Sequence, residues 1–293
     1  MVTIDVLLPF YGNFSFFQRA VSSVLASKDS DFRLLICNDG DTSPNVRPWI
    51  QSLNDKRITY LENATNIGAL QTFNRLLSLA VGDYVIFMGA DDLMGDTLIG
   101  TFREYLSQNS DVDVVHPHVC VIDEHERPYQ GIVDFIKKFI QSGFKLSDRV
   151  NHKRLVRSLA IGNWTYFPSM VWRTNTIQNL GFQGNLSVCQ DLDLLLRVVN
   201  EGGTFTYLTS PYPLFKYRRH KENDSTLKIY SGVRFREERE VYSKYARYYW
   251  KHRDPITALL FLLRLTPRLH VVRGILSKNV DSRNRVKMLL NLR

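Results

Sequence analysis

The chain has 293 residues, 44% of them hydrophobic and 23% charged, the balance of a globular protein and not of a disordered one. Its three cysteines, Cys37, Cys120 and Cys189, lie far apart without Cys-x-x-Cys spacing, which argues against a disulfide framework or a zinc site and fits a reducing compartment. The net charge of +9 is lopsided: residues 216–293 carry 20 Lys and Arg against 7 Asp and Glu, a net of +13, and residues 1–215 a net of −4, so the basic end suggests a polyanionic partner, either an anionic membrane surface or nucleic acid.

The N-terminal "MVTIDVLLPFYGN" has an apolar stretch but neither a basic leader nor a small-residue cleavage site, and it reads as a first strand rather than a signal peptide. Its run "TIDVLLPF" is nearly continuous, as expected of a strand buried on both faces. A helix follows over "SFFQRAVSSVLAS", with Phe17, Val21, Val24 and Leu25 on one stripe and Ser15 as its N-cap. "FRLLICND" and "RITYLEN" are predicted strands, "GALQTFNRLLSLAVG" a second amphipathic helix closed by Gly82, and "DYVIFMG" a fourth strand. This alternation predicts an α/β chain with a mostly parallel, doubly wound sheet. Further on, a helix is expected over 96–108 and a strand over 112–123. The stretch 125–160 is less regular; it mixes a helical stripe at 131–143 with basic polar residues, in a position to cover a site. "TYFPSMVWR" reads as a strand, "CQDLDLLLRVVNEGG" as a helix, and 204–220 as further strand material. Beyond residue 232 the chain turns helical and basic, with Asp254-Pro255 capping "ITALLFLLRL".

In open α/β sheets ligands bind beyond the carboxyl ends of the strands, and four of those ends are polar here. Pro9-Phe10-Tyr11 closes the first, Asn38-Asp39-Gly40 the second, Glu62-Asn63 the third and Gly89-Ala90-Asp91-Asp92 the fourth. Adjacent carboxylates on a tight turn suit a hard divalent cation that bridges substrate phosphates; a solvated turn with Asp92 capping the next helix fits the same residues. Asp191, at a helix start, reads as an ordinary first-turn acid or, if buried beside Val188 and Leu192, as a general base. In "KYRRHKENDS", residues 216–225, the imidazole of His220 suits a metal and Arg218, Arg219 and Lys221 suit phosphate; a basic surface loop is the alternative.

As a set, these motifs resemble the inverting family 2 glycosyltransferases, which have the GT-A fold. The resemblance spans roughly residues 3–226. It rests on the Pro9–Asn13 turn, the Asn38-Asp39-Gly40-Asp41 turn and Asn66-Ile67-Gly68 with Asn74 following. It continues with Gly82-Asp83-Tyr84 leading to Gly89-Ala90-Asp91-Asp92 in place of Asp-x-Asp, Gln190-Asp191 in place of Glu-Asp, and Tyr217-Arg218-Arg219-His220 with Ser225. The resemblance implies a Rossmann-like, mostly parallel central sheet flanked by helices over residues 1–228, followed by a basic helical extension over 229–293. It implies Asp191 as the catalytic base and a nucleotide-sugar site drawn from Pro9, Tyr11, Asp39 (toward the nucleobase), Asn66, Gly68, Ala90, Asp91, Arg218 and Arg219. It further implies Mg2+ or Mn2+ at Asp91, Asp92 and His220. Three departures stand out: Gly89 replaces the first acid of Asp-x-Asp, Gln190 replaces Glu, and Phe73 stands where many members have Arg.

The expected reaction is transfer of a sugar from a nucleotide-diphosphate donor to a hydroxyl of a glycan acceptor, lipid-linked, in bacterial surface polysaccharide synthesis of the O-antigen or capsule type. A sugar nucleotidyltransferase would need a Gly-rich, Arg- or Lys-bearing loop after the first strand, which "PFYGNFSFF" lacks; a non-catalytic nucleotide-sugar binder is the other alternative, kept open by Gly89. The apolar run after Asp254 is too short between charges to span a bilayer and is expected to lie in the interface, with an amphipathic helix packed on the catalytic domain as the alternative. That places the protein in the cytoplasm, peripherally on the inner face of the cell membrane. No nucleic-acid recognition module is apparent, so nucleic acid is not an expected partner.

Overall fold

The computed structural model describes residues 1–144, 148–183, 186–220 and 233–268. Strands β1 (Ile4–Phe10), β2 (Phe32–Asn38), β3 (Ile58–Glu62) and β4 (Tyr84–Phe87) run parallel in the order β3-β2-β1-β4. The near-continuous apolar character of β1 has its reason in the layers on both sides. Ile4, Val6, Leu8 and Phe10 face a core that includes Phe17, Val21 and Val24 of helix α1 (Phe14–Leu25). Leu7 faces the opposite core with Phe73, Leu76 and Leu77 of helix α3 (Ala69–Ser78), the alternation a strand imposes. The polar exception in the strand, Asp5, is buried and accepts hydrogen bonds from Arg33 Nε (2.8 Å) and from the N–H groups of Val81 and Gly82 (2.9 Å each). Burial pushes its carboxyl up, but the Arg33 pair and the two backbone donors outweigh it and hold the group below the usual carboxylate range.

Helix α2 (Val46–Leu53) links β2 to β3. Strand β5 (Leu93–Met94) and helix α4 (Leu98–Gln108) follow β4. The predicted strand over 112–123 is two strands, β6 (Val114–Pro117) and β7 (Val119–Ile122), in different sheets. Pro117 has no N–H to continue a ladder, so the chain leaves the main sheet there. Helix α5 (Ile132–Gly143), strand β8 (Asp148–Arg149) and helix α6 (His152–Ile161) occupy the stretch that the sequence left irregular. Of the expected strand 165–173, residues Phe167–Ser169 form a 3-10 turn and only β9 (Val171–Arg173) is strand. Helix α7 (Thr174–Leu180), helix α8 (Gln190–Asn200), strands β10 (Phe205–Leu208) and β11 (Phe215–Arg218), and helices α9 (Val233–Lys251) and α10 (Pro255–Leu263) complete the described chain.

The main sheet has eight strands in the order β3-β2-β1-β4-β9-β6-β10-β8, parallel except where β9 inserts between β4 and β6 and where β8 pairs with β10. A second, three-stranded sheet, β5-β11-β7, joins segments distant in sequence, with Phe215 of β11 paired to Met94 of β5 and to Val119 of β7. Two expected boundaries move. The N-cap of α1 is Asn13, whose side chain accepts from Phe16 N–H at 3.0 Å, and not Ser15; α3 stops at Ser78 before reaching Gly82.

Asp254 does cap α10, accepting from Thr257 N–H at 3.1 Å, with Pro255 in the first turn. Tyr242, Tyr245 and Tyr249 of α9 surround Phe261 of α10 at 5.5–5.8 Å and share the core of Leu192, Leu195 and Trp172. The described part of the basic C-terminal region is thus packed into the sheet domain. The expected boundary at 228/229 and the tail from 269 onward lie outside the described residues. Among the described residues no helix is long and apolar enough to cross a membrane.

Candidate active site

The carboxyl ends of β1, β2 and β3 are tied together by their own polar groups. Asp41 accepts from Gly12 N–H at 3.0 Å, joining the first two turns. Asp39 is only 2% exposed and accepts from Asn63 Nδ2 (2.7 Å), Ile67 N–H (3.0 Å) and Gly68 N–H (2.9 Å). Gly68 has φ +88°, a left-handed conformation that favours glycine. The Asp39 carboxylate thus holds the Asn66–Gly68 turn against the end of β2. Tyr11 and Asn66 are exposed at this edge, and Pro9, Gly68 and Ala90 are half-buried.

The acidic turn after β4 meets the end of β11 because β5 pairs with β11. His220 Nε2 lies 2.8 Å from Asp91 Oδ2, with the Asp91 side chain 32% exposed and that of His220 10%. Asp92 is buried; its Oδ1 accepts from Arg218 N–H at 2.8 Å, and its Oδ2 has no hydrogen-bond partner among the described residues. Burial, and then the charge of Asp91, push the Asp92 carboxyl well above its ordinary value. A Cβ at Gly89 would sit 2.5 Å from Asp92 Oδ2 and 3.1 Å from Asp91 Oδ1. The space above Gly89 is thus a cradle lined by oxygens of both acids, one of them an orphaned buried acceptor. Oxygen-rich donors with one imidazole fit Mg2+ or Mn2+, which bind through one or two carboxylates and substrate phosphates. Among the described residues no group of three or more His, Cys, Asp or Glu side chains is preassembled around a metal position.

The two arginines before His220 diverge. Arg218 has a side chain 0% exposed, stacked on Phe16 at 4.8 Å, and it donates to the carbonyls of Asp91 (2.6 Å), Asp123 and Glu124 (3.3 Å each) and to Glu126 (3.2 Å). Its guanidinium thus ties the acidic turn to the 123–126 turn. Arg219 donates to Asp134 of α5 at 2.9 Å and keeps its side chain 21% exposed. Lys221 and Ser225, the other cation and the hydroxyl of this segment, lie outside the described residues.

Asp191 sits in the first turn of α8. The turn before it is held by the buried Glu237 of α9, which accepts from the N–H groups of Ser187 (2.9 Å), Val188 (2.7 Å) and Cys189 (3.1 Å), an arrangement the helix N-terminus favours. Asp191 itself accepts from Leu192 N–H at 2.8 Å and Asn163 Nδ2 at 2.9 Å. Burial pushes its carboxyl up despite these donors and the nearby charges of Lys137 and Arg234. Helix α5 bridges the two halves of the site. Its Asp134 accepts from both Arg219 and Tyr166 OH (2.9 Å each), and one turn later Lys137 Nζ donates to Thr165 O at 2.7 Å over the Tyr166 ring. Burial, reinforced by Arg219, pushes the Lys137 ammonium down to about 7. The sequence placed α5 near the site but singled out neither Asp134, Lys137, Asn163 nor Glu237. Only the interruption of the hydrophobic stripe of 131–143 by Asp134 and Lys137 pointed to them. Phe73, where the motif pattern led toward a cation, is core, packed on Phe87, Phe167 and Phe182.

Residues 5–171 match the family described as Glycosyl transferase family 2. The chain is similar to the putative colanic acid biosynthesis glycosyl transferase WcaA of Escherichia coli K12, 26% identical over 86% of this chain and 81% of that protein. A shorter match, 31% identical over 31% of this chain and 35% of that protein, is to the Escherichia coli UDP-Glc:alpha-D-GlcNAc-diphosphoundecaprenol beta-1,3-glucosyltransferase WfgD. Among solved structures, the mannosyltransferase PcManGT of Pyrobaculum calidifontis, in complex with GDP-Man and Mn2+, superposes with a TM-score of 0.61 at 14% identity, over 98% of this chain and 78% of that one. The sheet order and the flanking helices are those of the GT-A fold.

Proposed function

The chain belongs to glycosyl transferase family 2, and we propose that it is a metal-dependent, inverting enzyme that moves a sugar from a nucleotide-diphosphate donor to a hydroxyl of a lipid-linked glycan acceptor. The observation that carries the reading is the pairing of two chemically distinct ends on one scaffold. Asp91 and His220 meet at 2.8 Å at one end, and at the other Asp191 is half-buried with a donor on each oxygen. The relatives support the rest: WfgD is named for a UDP-glucose donor and a diphosphoundecaprenol acceptor, and WcaA for colanic acid synthesis. These names favour bacterial surface polysaccharide as the setting, and the proposed reaction is assigned to the cytoplasm.

In this reading Asp191 takes the proton of the acceptor hydroxyl as its oxygen attacks the anomeric carbon. The bond from that carbon to the diphosphate breaks on the opposite side, so configuration inverts. Asp91, with His220 and Asp92, would hold Mg2+ or Mn2+, which would supply positive charge for the departing diphosphate. Arg219, fixed by Asp134, adds a second cation on that side. Tyr11, Asn66 and Ala90, with Pro9 and Gly68, form the edge on which the nucleoside lies, and Asp39 shapes that edge from beneath. Calorimetric titration with UDP- and GDP-sugars, with and without Mn2+, identifies the donor. Saturable binding of one of them is expected, and no binding of any would overturn the reading.

Peripheral attachment to an anionic membrane belongs to the same proposal. Besides the net +13 of residues 216–293, it is supported by Ile256, Leu259 and Leu262 of α10, which are 52–58% exposed, and by Ile132, Phe135 and Phe139 of α5, which are 67–69% exposed. Arg264 and Arg268 follow α10, where attraction to anionic headgroups would contribute about 1 kcal/mol per nearby cation. The protein is expected to co-sediment with phosphatidylglycerol vesicles at low salt and to be released by high salt, less of it binding when Leu259 and Leu262 are changed to Glu. A chain that stays in the supernatant at low salt is not a peripheral membrane protein.

A further inference from the structure

We propose that Asn163 is the positioning residue of the base: its side-chain amide, locked in one orientation by Thr165, donates to Asp191 and aims the carboxylate at the acceptor hydroxyl. The inference rests on the reading of Asp191 as the base. Its evidence is a chain of hydrogen bonds whose direction is forced. Thr165 N–H lies 3.2 Å from one terminal atom of the Asn163 amide, and Thr165 Oγ1 lies 2.7 Å from the same atom. A backbone N–H can only donate, so that atom is the oxygen. The NH2 group is left facing Asp191 Oδ2 at 2.9 Å, and the amide cannot flip without setting two donors against each other.

Thr165 is itself immobile. It is buried, its carbonyl accepts from Lys137 Nζ, and the next residue, Tyr166, donates its N–H to His116 Nε2 at 3.0 Å. His116 is held as the neutral tautomer that accepts this bond, because burial pushes its imidazole down to about 3 and its Nδ1 donates to Pro117 O at 2.8 Å. The orienting segment is thereby anchored to the main sheet through β6. With Asn163 on Oδ2 and Leu192 N–H on Oδ1, each Asp191 oxygen has one acceptor position taken and one left. The two donors together hold the plane of the carboxylate and leave an acceptor position on each oxygen.

The donor also acts on the proton affinity of the base. Asp191 is pushed up by burial, and the bonds from Leu192 and Asn163 oppose that shift. Facing it are Lys137 from α5, Arg234 and Tyr242 from α9, and Cys189 from the preceding turn; the cations favour the carboxylate, and burial holds the thiol and the phenol protonated. Removing the Asn163 donor withdraws one stabiliser of the charged form, so the Asp191 midpoint moves to higher pH, and so does the acid limb of any reaction that needs the carboxylate.

The test is a carboxyl-carbon NMR titration of protein labelled with 13C-aspartate, with the Asp191 signal assigned by its loss in Asp191→Asn. In Asn163→Ala the Asp191 midpoint is expected to rise, with Lys137 unchanged in both proteins. Thr165→Val, which keeps the backbone donor and loses the hydroxyl, is expected to give a smaller rise in the same direction. A merely structural role for Asn163 predicts a lower melting temperature with an unmoved midpoint, and that result overturns the proposal. Should Asn163→Ala fail to fold, Thr165→Val decides alone: an unmoved midpoint there overturns it. Turnover of the nucleotide sugar found by calorimetry is expected to fall about ten- to a hundredfold in Asn163→Ala with donor affinity kept, the scale of a misplaced catalytic group. Absence of turnover in the wild type would count against the proposed function, while the titration still reads the role of Asn163.

Discussion

Asp191→Asn is expected to lower sugar transfer by about two to four orders of magnitude, the usual contribution of a positioned general base, while donor binding stays roughly at the wild-type level. The reason for the split is spatial. Asp191 is in the first turn of α8, held by Glu237 from behind and Asn163 from the side, whereas the proposed diphosphate site lies across α5 at Asp91 and His220. The amide is isosteric with the carboxylate but offers an NH2 where Asn163 or Leu192 needs an acceptor, which costs about 1 kcal/mol of stability. Circular dichroism and a thermal melt therefore accompany the rate measurement. Wild-type turnover in a folded Asp191→Asn protein would remove Asp191 from the reaction.

The second large effect is expected at Asp91. Asp91→Ala removes the exposed member of the acidic turn and the carboxylate partner of His220. Donor affinity in Mn2+ should fall by on the order of thirtyfold or more, which corresponds to about 2 kcal/mol, the lower end for truncating one partner of a desolvated charge pair. The same variant titrated in EDTA should match the wild type in EDTA, because the lost interaction is the metal-dependent one. His220→Ala is expected to fall between the two, since Asp91 and Asp92 remain. Equal donor affinity for wild type and Asp91→Ala in Mn2+ would place the cation elsewhere. Calorimetry reads all of these arms.

The strand ends, the order of the motifs and the alternation of strands and helices were legible because they depend on local pattern: a continuous apolar run in β1, period 3.6 in α1 and α3, and an Asp-Pro pair at the start of α10. The meaning of Gly89 was not. Read along the chain, it is a missing acid; in the fold, a side chain at 89 would displace the Asp92 carboxylate, which Arg218 holds from β11. That contact joins positions 126 residues apart in sequence, and no local pattern carries it. The surroundings of Arg218 were hidden for the same reason: its guanidinium donates to three backbone carbonyls contributed by two other segments.

The support of the base was hidden differently. Asn163 lies in a stretch, "GNWTYFPS", that carries no periodic signal, and its partners Thr165 and Lys137 become meaningful only once α5 is laid across Tyr166. Asp39 was legible as a motif residue, but its bonds to the N–H groups of Ile67 and Gly68 were not.

The central claim is inverting transfer with Asp191 as the single base, and the anomeric configuration of the product tests it most directly. A nucleotide sugar labelled with 13C at its α-configured anomeric carbon is incubated with the enzyme, Mn2+ and a bacterial membrane-lipid extract, and the labelled carbon of the product is examined by NMR. The account predicts a β-linked product from the wild type and none from Asp191→Asn. An α-linked product would mean retention and would contradict it.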